Sequence, residues 1–312
     1  MEEKLRLSPG PHIFGRQSTP KMMRDVIIAL IPAIFASVYF FKGKAVILLF
    51  VSVVSCVFFE WVLQVLMRRK STIYDGSAVV TGILLAMVMP PSLPVWACVL
   101  GSFIAIGLAK QLFGGLGCNI FNPALLGRAF LMAAFPTFMT RWHLPFTLDA
   151  VTEATPLGMV KFSHSMNIDY LSLFTGSVSG SLGETSAVGL LIGGAYLVMR
   201  KVIDWRIPSS YIGTVYVLGF LFNSIQPDRY AGGLFHILAG GLLIGAIFMA
   251  TDPMTSPVTK KGRWIFGIGC GGITMVIRLW GGLPEGVMYS ILLMNALTPL
   301  LNRTTRPRRY GT

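Results

Sequence analysis

Thr155, set between Ala154 and Pro156 in the stretch DAVTEATPLG (149–158), is a hydroxyl whose surroundings raise a chemical question. A threonine hydroxyl is a poor nucleophile without an adjoining base, and the polar interval around it offers only His143 and His164, without triad spacing. Acyl transfer carried out by this segment alone is therefore not expected. Modification of the hydroxyl by a second protein needs less, namely exposure and a local recognition sequence.

A second set of chemistry-bearing residues lies inside or at the margins of long apolar runs: Glu60, Asn119, Asn122, Arg128, His236, Asp252, Arg278 and Asn295. At membrane depth a charged side chain costs roughly 2.5–3.5 kcal/mol on insertion scales, so such residues normally face a partner, a bundle interior or a cavity. Each has a plainer reading. Glu60 stands shortly before the basic cluster Arg68, Arg69 and Lys70, where it could simply snorkel. Arg128 could pair with a carboxylate for folding only, and His236 reads first as a packing residue. Asp252, in ATDPMTSP, sits where prolines break the backbone, which is also where ligands bind. Asn119 and Asn122, in GCNIFNPALL, carry amides suited either to satisfying broken-helix backbone or to reading a polar ring edge.

The elements that must position these residues are apolar. Of 312 residues 54% are hydrophobic and 12% charged, the composition of a polytopic membrane protein, since a spanning helix needs roughly 20 predominantly apolar residues. The net charge of +13 is not gathered on a water-facing domain, which argues against a nucleic-acid partner. Cys56, Cys98, Cys118 and Cys270 are far apart, with no CxxC and no histidine at ligand spacing, so they read as small core residues and no metal site is expected. The opening MEEKLRLSPGPHIFGRQSTPKMMR is basic without an apolar core, so no cleavable signal is expected.

Ten apolar segments can be placed, at 22–41, 45–67, 77–89, 94–112, 123–135, 185–199, 209–223, 233–251, 264–280 and 284–301. Those at 77–89 and 123–135 are too short to span straight and read as half-helices buried among neighbours. With the N-terminus inside, alternate loops place 19 of the 26 Lys and Arg on the cytoplasmic side, Lys110 among them, and both termini there. The 49-residue interval 136–184, and Thr155 with it, then falls outside the cytoplasm. KQLFGGLG (110–117) echoes IRLWGGLP (277–284), and an odd number of segments in each half makes the second copy enter from the opposite face. The fold expected is all-α: about ten transmembrane segments in two inverted five-helix repeats. Its parts are a cytoplasmic N-terminal segment (1–21), a first repeat (22–135), the extracytoplasmic loop (136–184), a second repeat (185–301) and a basic cytoplasmic tail (302–312). The Gly- and Ser-rich TGSVSGSLGETSAVG (175–189) could form an anion-holding nest at a helix start, with Glu184 and Thr185 at the cap.

Five motifs, in order along nearly the whole chain, carry a resemblance: YDGSAVVTGILLAMVMP, GGLGCNIFNPALLGRAF, DAVTEATPLG, GSLGETSA and FMATDPMTSP. The chain resembles the RnfD/NqrB family, membrane subunits of the Rnf electron-transport complex and of the sodium-pumping NADH:quinone oxidoreductase. In that family a separate flavin transferase joins FMN to a threonine through a phosphoester. Asp149, Thr152, Ala154, Thr155 and Pro156 match the attachment motif, and Glu153 departs from it where glycine is usual. The resemblance implies that Thr155 carries covalent FMN near the outer surface. It further implies noncovalent riboflavin at Asn119 and Asn122, and ion movement past Glu60 and Asp252. A short N-terminal region and a compact length of 312 residues favour the Rnf side of the family, with an NqrB-like subunit of a Na⁺-translocating NADH:quinone oxidoreductase as the alternative. The implied activity is electron relay between ferredoxin and NAD redox chemistry, coupled to Na⁺ or H⁺ translocation. The implied setting is the cytoplasmic (inner) membrane of a bacterium or archaeon, in the lipid bilayer, with the A, B, C, E and G subunits of the Rnf complex as partners. No GxGxxG follows a strand, so direct NADH binding is not expected. A small-solute channel or transporter with inverted repeats, and an assembly scaffold whose flavin site has decayed at Glu153, remain open on the sequence alone.

Overall fold

The protein's structure, a computed structural model, describes residues 18–146, 154–163, 169–184 and 186–306. Among these every regular element is helical. The first, α1 (Thr19–Leu66), would be about 72 Å long if straight, at 1.5 Å per residue. It is broken at Lys42, whose φ of 50° and ψ of −129° are not helical. It is also the one described helix long and apolar enough to cross a membrane.

The two arms of α1 run in opposite directions beside α2 (Ser77–Met87). Met23 lies against Gly76, and Ser37 reaches Met87, so the first arm runs with α2. Ser52 Oγ donates to the Gly82 carbonyl at 2.8 Å, while Glu60, further along, meets the Ser77 end, so the second arm runs against it. α3 (Val95–Ile106) continues into a π-helical turn, Gly107–Gln111, and descends beside the second arm from the level of Leu48 to that of Glu60. α4 (Pro123–Ala134) follows, then the short α5 (Pro136–Met139). The polar interval contributes α6 (Pro156–Ser163) and α7 (Tyr170–Thr175).

The second half comprises α8 (Ala187–Met199), α9 (Arg206–Ile225), α10 (Gly233–Leu238), α11 (Leu242–Ile244) with a π turn at Gly245–Met249, α12 (Lys260–Trp280) and α13 (Val287–Thr304). The apolar run 233–251, expected as one segment, is therefore interrupted. Gly240 takes a φ of 73°, and Arg278 of α12 donates to the His236 and Ala239 carbonyls, caring for acceptors that an unbroken helix would satisfy itself. The cap expected at Glu184 and Thr185 falls instead on Ser186, whose side chain accepts from Gly189 N–H; Thr185 lies outside the described residues.

The halves meet where α8 packs against the first arm of α1. Gly189 and Gly193, four residues apart, lie on Ala33 and Ala29, and beyond them Asp25 pairs with Arg200 at 3.3 Å. Small residues at this spacing let two backbones approach closely. A Cβ on Gly193 would run into the Ala29 carbonyl oxygen. Gly193→Ala is accordingly expected to destabilise the protein by about 1–3 kcal/mol, the usual cost of overpacking, seen as a lower melting temperature in detergent. An unchanged melting temperature would mean that the helices can part at no cost.

Candidate functional site

The polar residues gather at the two ends of the bundle. At one end a cavity of about 70 Å³ is lined by Ser77, Lys110, Asn119, Asn122, Thr251 and Asp252 among others. At the opposite end lie the bend of α1, the 90–94 turn, residues 141–146 and the start of α6.

Glu60 occupies the first end as half of a buried ion pair. Lys110 Nζ donates to both Glu60 carboxylate oxygens at 2.8 Å and to Ser77 Oγ at 2.5 Å, and the two charged residues are 0% and 1% exposed. Gln64 and Gln111 side-chain amides complete the shell around Glu60. Lys110, expected among the water-facing loop charges, is thus a core residue. The π turn at 107–111 keeps its side chain directed at α1, and the partner sits 50 residues away. Asp252 lines the same cavity; its carboxylate accepts from Met254 N–H at 3.2 Å.

Asn119 and Asn122 also line that cavity, but their amides serve backbone. Asn122 accepts from Leu125 N–H, capping α4, and donates to the Met249 carbonyl, while Asn119 accepts from Gly117 N–H and donates to the Phe121 carbonyl. Of the two roles that the sequence allows them, broken-helix satisfaction is the one these bonds perform. Three of the cysteines are buried as expected, whereas Cys118 is exposed.

At the other end Thr155 begins α6. Its Oγ1 accepts from Gly158 N–H at 3.2 Å, and Pro156 follows at the first helical position, where a missing N–H costs nothing. One side chain holds this start and another docks the far turn of the helix. Ser179 Oγ donates to the Ala154 carbonyl at 3.0 Å, and Lys161 donates to the carbonyls of Ile277 and Leu283 at 2.9 and 2.8 Å. Thr155 is half-buried beside a cleft it shares with Trp142, Glu184 and Glu285. Asp149, Thr152 and Glu153, the remaining motif positions, lie outside the described residues.

Arg128 pairs with Glu285 at 2.5 Å, tying α4 to the turn before α13 across 157 residues of chain. Glu184 lies in the loop ahead of α8, outside the apolar helices, and accepts from Ser181 Oγ at 2.7 Å. Burial first, and then the neighbouring Glu285 charge, push its carboxyl from an ordinary 4.5 up to about 7. A carboxyl raised on folding adds stability while protonated, and loses it as pH rises from about 4.5 through about 7. Glu184→Gln should therefore flatten the fall in melting temperature across that window. A wild-type curve level over the same range would contradict this placement.

No single stretch of sequence announces three features: the Glu60–Lys110 pair, the Arg128–Glu285 pair, and the polar groups His236 and Arg278, buried on facing helices. Their partners are set by packing between segments, and only the cost of burying charge hints that partners exist.

Residues 6–311 match the NQR2, RnfD, RnfE family. The chain is similar to the D subunit of the Na(+)-translocating ferredoxin:NAD(+) oxidoreductase complex of Acetobacterium woodii, 48% identical over 99% of this chain and 96% of the relative. It is also similar to the D subunit of the proton-translocating ferredoxin:NAD(+) oxidoreductase complex of Clostridium ljungdahlii, 44% identical over 98% and 96%. A third relative, the D subunit of the ion-translocating oxidoreductase complex of Stutzerimonas stutzeri, is 42% identical over 95% and 93%.

Proposed function

This chain belongs to the NQR2, RnfD, RnfE family, and we propose that it serves as the D-type membrane subunit of an ion-translocating ferredoxin:NAD oxidoreductase, carrying FMN covalently on Thr155. The supporting relatives are nearly full-length matches: two are named as D subunits of ferredoxin:NAD(+) oxidoreductase complexes and the third as the D subunit of an ion-translocating oxidoreductase complex. The other subunits of the complex are its partners, and a flavin transferase matures it.

The proposed setting is the cytoplasmic membrane, crossed by ten segments in two inverted repeats. Support comes from the directions of the helices. The first arm of α1 leaves the Lys110 end while α8, the first helix of the second half, leaves the opposite one, and α3 and α12 are likewise reversed. Large apolar side chains on the outside of α1, among them Phe35 and Phe50, suit a lipid exterior. The positive-inside bias supports an extracytoplasmic side for Thr155.

The single observation that carries the flavin assignment is the position of Thr155. It is a half-buried hydroxyl at a helix start, beside a cleft, on a helix whose leading residue Ala154 is held by Ser179 and whose far turn is docked by Lys161. The residues present fit an attached flavin. His236 and Arg278 Nε, close behind α6, are buried polar atoms without partners among the described residues. Bound flavin supplies reversible electron transfer, and the protein contributes position and electrostatics. Thr155 would hold the tether, Gly158 N–H donates to its Oγ1, and Lys161 docks α6 onto the end of α12.

Ion movement is assigned to the opposite cavity, with Asp252 in its wall and Glu60 behind the ammonium of Lys110. A noncovalent riboflavin is proposed for the same cavity, whose lining includes Asn119 and Asn122. The test of the main assignment is in-gel fluorescence. The chain produced with its transferase and then denatured should carry flavin fluorescence at its own mobility. A colourless band, under conditions that label a known substrate, would remove the assignment.

A further inference from the structure

Behind α6, between α10 and the end of α12, lies a cleft of about 220 Å³ that is distinct from the one beside Thr155. The two share Leu157 and Pro284 as a common wall. Its polar lining is cationic, with Lys161, Arg229 and Arg278 and no carboxylate among the residues that line it. Phe235, Tyr230 and Trp280 supply aromatic walls.

Two groups in this cleft are costly as they stand. His236 is 4% exposed, and neither ring nitrogen has a partner among the described residues; Arg278, 3% exposed, spends its two terminal nitrogens on backbone carbonyls and leaves Nε without one. A buried polar group left unsatisfied costs about 1–3 kcal/mol, so packing alone does not explain a histidine here. A ligand with acceptor atoms, aromatic faces and negative charge would answer all three features. The cleft beside Thr155 is a poorer berth for such a ligand, because Glu184 and Glu285 face it.

We propose that the ring system of the flavin tethered at Thr155 lodges in this second cleft, its polar edge meeting His236 and Arg278 Nε, with Lys161 and Arg278 favouring the reduced ring. The inference rests on the assignment of FMN to Thr155. Lys161 stands six residues beyond Thr155 on the same helix, about 9 Å along its axis, which a ribityl phosphate can cover. Uptake of two electrons and one proton leaves the ring system negatively charged, so fixed positive charge beside it stabilises that form and raises the midpoint potential.

The experiment uses the full chain, matured with its flavin transferase, as wild type and as His236→Leu, His236→Gln and Lys161→Met. Peptide mass spectrometry reports the adduct, and spectroelectrochemical titration reports the midpoint potential of the bound flavin. The expected result is an adduct at Thr155 in all four proteins. The reduced ring should be favoured at least tenfold less in His236→Leu and in Lys161→Met, a fall of about 30 mV for a two-electron couple. His236→Gln, which keeps a donor and an acceptor, should recover most of the loss. An adduct at Thr155 with unshifted potentials in both variants would overturn the placement of the ring while leaving the attachment standing. Wild-type protein without that adduct would overturn both. Should His236→Leu fail to fold, Lys161→Met decides, since Lys161 lies at the rim of the cleft.

Discussion

Glu60→Ala is expected to destabilise the protein by about 3–5 kcal/mol, because it strands the Lys110 ammonium in a site that is 1% exposed. In the wild type that ammonium is held by both carboxylate oxygens of Glu60 and by Ser77. The remaining hydroxyl cannot neutralise it, and the amides of Gln64 and Gln111 would face a cation without their acceptor. Removing both charges is a different perturbation: Glu60→Ala combined with Lys110→Met should recover most of the loss, since replacing a buried pair with apolar groups is often close to neutral. A double-mutant cycle on thermal unfolding in detergent measures the coupling directly. Single and double variants as stable as the wild type would show that water reaches the pair. Both variants should also lose ion translocation in the assembled complex, and retained transport would reduce the pair to a structural clasp.

Thr155→Ala is expected to abolish flavin attachment completely while leaving the protein folded. The side chain caps a single helix through Gly158 N–H, an interaction whose loss costs about 1 kcal/mol. Neither Ser179 nor Lys161 depends on the hydroxyl: one holds the Ala154 carbonyl, the other the end of α12. Thr155→Ser retains both the cap and the acceptor hydroxyl, and should keep the label at reduced yield. Full labelling of Thr155→Ala would move the attachment to another residue. Unfolding of Thr155→Ala would instead mean that this helix start matters more to stability than its bonds indicate.

Much of the helical framework can be read from the sequence because its signals are local. The half-helices α2 and α4 are short apolar runs bounded by Gly76 and by Asn122 with Pro123, and their ends fall close to the expected ones. Lys42, Gly43 and Lys44 punctuate the first two apolar runs, and the chain does break at Lys42. The interruption of 233–251 is not legible, since it depends on Arg278 arriving from another helix to take up carbonyls. Nor is the fate of Lys110: a lysine at the end of an apolar run reads as a loop charge unless Glu60 is known to stand opposite. At the end opposite Lys110 a motif marks Thr155, but the groups that surround it, Glu184, Glu285 and Ser179, are assembled from distant segments. Charge burial in the sequence thus indicates that partners must exist, and only packing says which.

The proposed electron relay through this chain rests above all on the chemistry at one side chain. Full-length protein matured with its flavin transferase can be digested and the peptide spanning DAVTEATPLG sequenced by tandem mass spectrometry. The prediction is an FMN mass on that peptide, joined as a phosphoester and localised to Thr155 rather than Thr152. An unmodified peptide, from a preparation in which the same transferase labels a known substrate, would contradict it.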